Sequence, residues 1–102
     1  MTLEDFNNIV DSYGLYKIKR NSETGYLEKP TLGDTPVVTF YEEIGKLKIY
    51  VELNDAGNIS YSLKHIIVSE VSTANYFLKR LFKQRKKIQV DKKLKEINRD
   101  FA

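Results

Sequence analysis

The first part of the chain carries apolar residues at the spacing of an α-helix. One side of the helix predicted there carries Leu3, Phe6, Ile9, Val10 and Tyr13. Thr2 precedes these residues, and Asp5 follows Thr2 at the distance of a capping box, in a weaker form of that helix-start signal. Gly14 stands directly after the last apolar residue, where a glycine commonly ends a helix.

The middle of the chain changes to the alternation of apolar and polar residues that is typical of β-strands. Strands are predicted for LYKIKR, VVTFYEE, LKIYVEL and ISYSLKHIIV, which are residues 15–20, 37–43, 47–53 and 59–68. NSETG is predicted as a loop, with YLEK as the return strand of a hairpin. The apolar run at 66–68 predicts a strand end that is covered on both faces.

Turn and loop residues separate these strands. Residues 44–46 and NDAGN at 54–58 have the composition of tight turns, and KPTLGDTP at 29–36 has that of a loop. Connections this short imply an antiparallel meander. Three strands follow the loop, and the hairpin at 15–29 adds one or two more.

Helical spacing returns after Gly57, and the rest of the chain has neither glycine nor proline. Ser69 or Ser72 can cap a helix there. A first apolar stripe consists of Val71, Ala74, Leu78 and Leu81, widened by Phe77 and Phe82, and a second consists of Val90, Leu94, Ile97 and Phe101. Because the stripes are out of phase, we expect a break or bend at 88–91, with Asp91 capping a final helix. One continuous long helix is the alternative.

These elements predict a single α+β domain over residues 1–102. It consists of an N-terminal helix, an antiparallel β-meander of three to five strands, and then one bent or two C-terminal helices. The first and the penultimate helix are expected to cover one face of the sheet. The last helix packs either on the same core or against a second copy of itself, so a homodimer is a hypothesis.

The composition is that of a folded chain, with 41% hydrophobic and 30% charged residues. Cysteine is absent, which excludes disulfides, thiolate metal sites and thiol catalysis and fits a reducing, cytoplasmic location. The N-terminus lacks the apolar run of a signal peptide, and no segment approaches the ~20 apolar residues of a membrane span. We therefore expect no membrane partner.

Residues that could carry catalysis are sparse. His65 is the only histidine, and it is either the general base of a small hydrolase or, as we favour, a strand residue with one satisfied ring nitrogen. The carboxylates that could form a metal site are Glu42, Glu43, Glu52 and Asp55. Such acids are more typical of solvated strand edges. Since nucleophile and phosphate-loop motifs are missing, we expect no catalytic residue, no metal, no cofactor and no enzyme.

Positive charge is concentrated in the C-terminal third of the chain. The net charge of the whole chain is +3, whereas residues 71–102 hold ten basic and three acidic residues. LKRLFKQRKK, at 78–87, contains no acid, and its cations are Lys79, Arg80, Lys83, Arg85, Lys86 and Lys87. Cations at this density predict a surface for phosphates. The alternatives are an acidic protein partner, a membrane surface, which we rank lowest, and an ordinary solvated helix face.

A second basic element is the predicted hairpin that begins with YKIKRN. Lys17 and Lys19 fall on one strand face, and Arg20 and Asn21 enter the loop. A β-ribbon with Arg and Asn near its tip can enter a groove of double-stranded DNA and contact base edges. The alternative is an exposed hairpin with solubilising lysines. If both elements bind, the helix supplies affinity and the hairpin specificity.

The chain is rich in Lys, Asn, Ile and Tyr, in stretches such as EDFNNIVDSYGLYKIKRN and KRLFKQRKKIQVDKKLKEINRD. This composition is similar to that of small accessory proteins from conjugative plasmids and phages of low-GC Gram-positive bacteria. Those proteins include DNA-binding partners of relaxases, small transcriptional regulators and anti-CRISPR inhibitors. The resemblance implies a non-enzymatic DNA-binding accessory or regulatory protein, and as the alternative an inhibitor or adaptor that binds a protein or nucleoprotein.

Overall fold

The computed structural model describes residues 1–19, 21–31 and 33–101, with the backbone alone for 100 and 101. The elements in chain order are α1 (Leu3–Ser12), β1 (Tyr16–Lys19), β2 (Glu23–Tyr26), β3 (Val38–Tyr41), β4 (Lys46–Tyr50), β5 (His65–Val68) and α2 (Val71–Phe101). The predicted α+β class is confirmed. No helix in the described ranges has the length and apolar character needed to cross a membrane.

Helix α1 begins and ends where the sequence predicts. The side-chain oxygen of Thr2 accepts a hydrogen bond from the backbone N–H of Asp5 at 3.2 Å, and the Asp5 carboxylate accepts one from the N–H of Thr2 at 2.9 Å. This reciprocal pair is a complete capping box. Gly14 then ends the helix with a φ of 61°, in the left-handed region that favours glycine.

The five strands form one antiparallel sheet in the order β1-β2-β3-β4-β5. Each strand pairs with its neighbours in sequence, so the sheet is a meander with the largest predicted strand number. The turn at 54–58 lies where the sequence predicts it, whereas the turn between β3 and β4 is at 42–45 instead of the predicted 44–46, so that Lys46 begins β4.

Two strand predictions are wrong in position, and two others run too far, because β3 ends at Tyr41 instead of residue 43 and β4 ends at Tyr50 instead of residue 53. ETG, predicted as loop, belongs to β2, which pairs with both β1 and β3. Of the predicted strand at 59–68, only the last four residues form β5. The hydroxyls of Ser60 and Ser62 donate to the Glu52 carboxylate at 3.2 and 2.9 Å, and Leu63 has a φ of 53°. These local bonds turn the chain and break the alternation before β5 begins.

One face of the sheet carries the core. The strand residues buried there are Val38, Phe40, Leu47, Ile49 and Val68. Helix α1 lies on them with the ring of Phe6 stacked on that of Phe40, at a centroid distance of 5.4 Å. Helix α2 adds Ala74, Leu78 and Leu81 to the same core. Both helices cover one face, as predicted.

The opposite face of the sheet is not covered by either helix. Ile67, on this face, is 56% exposed. The prediction that 66–68 is covered on both faces is therefore wrong for this residue. Ile66 packs against the core and Val68 is buried in it, while Ile67 points away from the helices.

Helix α2 runs without interruption, so the expected break at 88–91 is wrong and the continuous alternative is correct. Its first half packs on the sheet, whereas residues 89–99 are exposed. Since this second half does not contact the core, its apolar stripe need not stay in phase with the first. The helix is about 46 Å long at ~1.5 Å per residue, and the molecule measures 55 × 29 × 24 Å.

Candidate nucleic-acid interface

Five of the six predicted cations on α2 project into solvent. We call them the basic row: Lys79, Arg80, Lys83, Lys86 and Lys87. Leu78 and Leu81, on the other side of the helix, are buried against the sheet, and their burial fixes the orientation of the helix. No carboxylate in the described part of the chain forms an ion pair with a member of the row. The row is thus a surface of one sign.

Within the described part of the chain, Arg80 is the member of the row that contacts a neighbouring side chain. Its guanidinium lies 5.6 Å from the ring centroid of Tyr76 and donates to the Tyr76 hydroxyl at 3.3 Å. Both residues are exposed on the same helix, one turn apart. The contact leaves most guanidinium N–H groups available to a ligand.

Arg85 differs from the basic row, although the sequence places it among the same cations. Its side chain is only 14% exposed. The Nε–H donates to the carbonyl of Gly57 at 2.9 Å, and a terminal nitrogen donates to the Glu28 carboxylate at 2.7 Å. Arg85 therefore ties two loops to α2 and has little capacity left for a phosphate.

The hairpin presents less free charge than its sequence suggests. Lys17 and Lys19 do share a strand face, as predicted, and Glu23 of β2 lies between them, with N–O distances of 4.0 and 3.7 Å. Lys17 also donates to the side-chain oxygen of Asn7. Asn21 is exposed in the turn, and Arg20 lies outside the described residues.

A groove runs beside the basic row. It has a volume of about 1010 Å³ and is lined by Val51, Phe77, Leu81, Gln84 and Val90 together with four members of the row. The apolar side chains form a hydrophobic surface, and the cations place positive charges along its rim. Such a groove suits a ligand that is both anionic and partly apolar.

The face of the sheet away from the helices is a feature that the sequence does not mark as a site. Its exposed or half-buried rings and cations are Tyr16, Tyr41, Tyr50, His65, Lys46 and Lys48, which we call the tyrosine face, whereas Tyr26 and Thr39 on the same side are buried. The alternation in LKIYVEL already sets Lys48 and Tyr50 opposite the apolar residues. What the sequence does not show is the strand register, which places Tyr50 beside His65 and Tyr41 beside Lys46.

Lys48 lies among the rings of this face. Its ammonium nitrogen is 5.1 Å from the ring centroid of Tyr50 and 6.0 Å from that of Tyr41. Partial burial acts to lower the pKa of Lys48, but interactions with Tyr50 and Tyr41 outweigh it and hold the pKa above its ordinary value. The charge of Lys48 is therefore retained on the face.

The candidate catalytic residues lie apart from one another. His65 is exposed, with its Nδ1 at 3.1 Å from the carbonyl oxygen of Leu63 and its ring edge-on to Tyr50. Glu43 lies in the β3–β4 turn and Glu52 beyond the other end of β4, so they are not adjacent. The described residues contain no group of three His, Cys, Asp or Glu side chains that could hold a metal.

No protein-family model, no curated protein and no solved structure matches this chain. A function must therefore be inferred from the surfaces of the molecule.

Proposed function

We propose that the protein is a non-enzymatic DNA-binding accessory or regulatory protein that contacts the phosphates of double-stranded DNA through the basic row. The observation that carries the proposal is the set of five exposed cations on one helix, none of which pairs with an acid of the described chain. Ordinary helix surfaces mix the two signs. The compositional resemblance supports a role in plasmid conjugation or in a phage, within the cytoplasm.

The dimensions of the basic row suit a duplex. From Lys79 to Lys87 the helix rises about 12 Å, at ~1.5 Å per residue. A duplex carries about one phosphate charge per 1.7 Å of its axis. A helix lying along the backbone therefore has several phosphates within reach of its lysines, which are long enough to adjust to them.

The hairpin has a narrower role in this proposal than the sequence alone indicates. Lys17 and Lys19 already share Glu23, so they contribute little to phosphate affinity. Asn21, exposed in the turn, remains suited to contact base edges in a groove. Arg20, by its place in the sequence beside Asn21, belongs to the same proposed contact.

A salt titration tests the proposal. We expect fluorescence anisotropy with a labelled duplex to show binding whose log–log dependence on salt has a slope of about −4 to −5, because five phosphates are engaged. The double variant Lys83→Gln/Lys87→Gln should reduce the magnitude of the slope by about 2.

The matched control removes two exposed cations that lie outside α2, in Lys29→Gln/Lys64→Gln. It should leave the affinity for the duplex and its salt dependence nearly unchanged. Absence of binding at about 50 mM salt would contradict the proposal, since electrostatic affinity is strong in that range.

A second candidate function is an inhibitor or adaptor that binds a protein or nucleoprotein. The groove beside the basic row supports it, because an acidic amphipathic segment would match both its apolar lining and its charged rim. A pull-down from host extract after nuclease treatment distinguishes the two. One stoichiometric protein partner, with no DNA binding by the pure protein, would favour the second candidate.

A further inference from the structure

The strand register defines what the tyrosine face presents. Tyr50 of β4 pairs with His65 of β5, and Tyr41 of β3 pairs with Lys46 of β4, so these side chains emerge on the same side. Tyr16 adds a ring on β1, at the far edge. Five strands at ~4.8 Å spacing give the face a width of about 19 Å.

The rings of this face are accessible to a partner. Tyr16 is 48% exposed, His65 is exposed, and Tyr41 and Tyr50 are half-buried among their neighbours. Neither helix packs against the face. An antiparallel sheet with one open face normally shows water a polar surface. The tyrosine face instead presents four aromatic rings to solvent, and a ligand that stacks on them would account for their presence.

The charge of the face is positive. Two of the strand residues on this side, Lys46 and Lys48, are cations, and none is Asp or Glu. The acid nearest along β4 is Glu52, beyond the strand end, where it is bonded to two serines and lies 3.6 Å from Lys64. The strand residues of the face therefore carry a net positive charge, and the exposed Glu42 and Glu43 lie in the adjoining β3–β4 turn.

We propose that the tyrosine face binds the unpaired bases of single-stranded DNA or RNA. Its rings supply stacking surfaces for bases, and its lysines supply charges for the intervening phosphates. This goes beyond the proposed duplex contact, because the sheet lies between the tyrosine face and α2. The two surfaces bind independently.

The same features argue against other occupants. A second copy of the chain would bring two faces together that each carry two lysines and no strand carboxylate. A duplex holds its bases stacked within the helix, where tyrosine rings cannot reach them without base flipping. A single strand offers both free bases and phosphates.

Substitutions of single tyrosines test the proposal. We expect a labelled oligothymidylate of about 12 nucleotides to bind, a length within the range of small single-strand sites. Tyr16→Leu and Tyr50→Leu should each weaken that binding by about 5- to 100-fold, which corresponds to the loss of one stacked base. Tyr50→Phe, which keeps the ring, should bind nearly as the parent does.

Tyr61→Leu is the matched control, because this tyrosine is 97% exposed and lies outside the strands. It should not change the affinity. Thermal unfolding of each variant identifies any that fail to fold. If Tyr50→Leu does not fold, Tyr16→Leu still tests the proposal, because Tyr16 is at an exposed edge position. A matched oligouridylate distinguishes RNA from DNA as the preferred strand, and either preference supports the proposal.

Two results would overturn it. The first is single-strand affinity that is unchanged in Tyr16→Leu and Tyr50→Leu. The second is equal, tyrosine-dependent binding of poly-L-glutamate, which would identify an acidic polypeptide as the occupant. Neither depends on the duplex contact, which is measured separately with Lys83→Gln/Lys87→Gln. Failure of one surface is thus distinguishable from failure of the other.

Discussion

Lys83 and Arg85 are two positions apart in one run of cations, yet they have different roles. Lys83 projects into solvent, whereas Arg85 reaches back to the carbonyl of Gly57 and to Glu28. The sequence predicts that both are on the helix. It does not show which flank of the helix two distant loops will approach, since that depends on tertiary packing.

Arg85→Gln should therefore lower the free energy of unfolding by about 1–2 kcal/mol, mainly through loss of the bond to the Gly57 carbonyl. The pair with Glu28 adds little, because that carboxylate is 70% exposed. Lys83→Gln, the matched control on the same helix, should leave stability within about 0.5 kcal/mol. Urea unfolding measures both, and equal stability of the two variants would contradict this role for Arg85.

Gly25 gives a prediction about close packing within the sheet. A Cβ there would lie 2.8 Å from Cγ2 of Val38 and 3.2 Å from Cδ1 of Leu15. Gly25→Ala should cost about 1–3 kcal/mol by overpacking. In a double-mutant cycle, Val38→Ala should relieve part of that cost, because it removes the methyl that the new Cβ meets. Strict additivity would show that the clash is not the cause.

The Glu52 carboxylate gives a prediction about pH. Hydrogen bonds from Ser62 and Ser60 and the charge of Lys64 hold its pKa below the ordinary value of 4.5. Because the pKa of Glu52 is lower in the folded than in the unfolded state, its ionised carboxylate stabilises the fold at pH values above the unfolded-state pKa. This stabilisation is lost as the pH falls through the folded-state pKa. Stability should thus decline in acid below about pH 4.5. In urea titrations, Glu52→Gln should decline less steeply than the parent, whereas identical profiles would contradict the shift.

At the scale of elements, local signals predicted α1, β4 and the turns because each depends on neighbouring residues. The capping box at Thr2 and the alternation in LKIYVEL are of this kind. The position of β2 was not predictable in this way. Glu23 and Gly25 are weak strand formers, and they form β2 because β1 and β3 pair with it on both sides.

Helix α2 combines a packed half and an exposed half. The apolar row of Val90, Leu94 and Ile97 stays exposed, at 42–53% of each residue. This row supports the proposed homodimer, in which two copies would cover each other's row. The repulsion of two strongly basic segments favours an antiparallel arrangement, which keeps the basic rows apart.

Sedimentation tests the homodimer. We expect mass to rise with concentration from the 11.9 kDa of one chain, and Leu94→Glu to abolish the rise by placing a charge in the apolar row. The same variant should unfold at nearly the same temperature when dilute, since Leu94 does not contact the core. Lys95→Gln, one position away, makes the same change in net charge outside the apolar row and serves as the control. A parent chain that stays monomeric at all concentrations would contradict the homodimer hypothesis.

At the scale of the whole molecule, the two proposed binding surfaces lie on opposite sides of one sheet. The tyrosine face was not predictable from the sequence as a site, because the register that brings Tyr50 beside His65 and Tyr41 beside Lys46 depends on strand pairing. The basic row was predictable as charge, and packing of Leu78 and Leu81 then determined its direction.

A competition experiment tests this arrangement. Oligothymidylate added in excess should leave a labelled duplex bound, with its anisotropy unchanged or increased, because the two ligands occupy different faces. Unlabelled duplex should displace the labelled one, as the control. Displacement of the duplex by the single strand at stoichiometric concentration would show that the two ligands share one surface.

The exposed half of α2 also has a kinetic consequence. It extends the molecule along its 55 Å axis and adds Lys92, Lys93, Lys95 and Arg99 beyond the basic row. A charged rod that extends from a globule enlarges the capture radius for a polyanion, and electrostatic attraction can raise association rates by about 10- to 1,000-fold. In the proposed nucleic-acid complex, the outer turns of α2 would therefore affect the association rate more than the residence time.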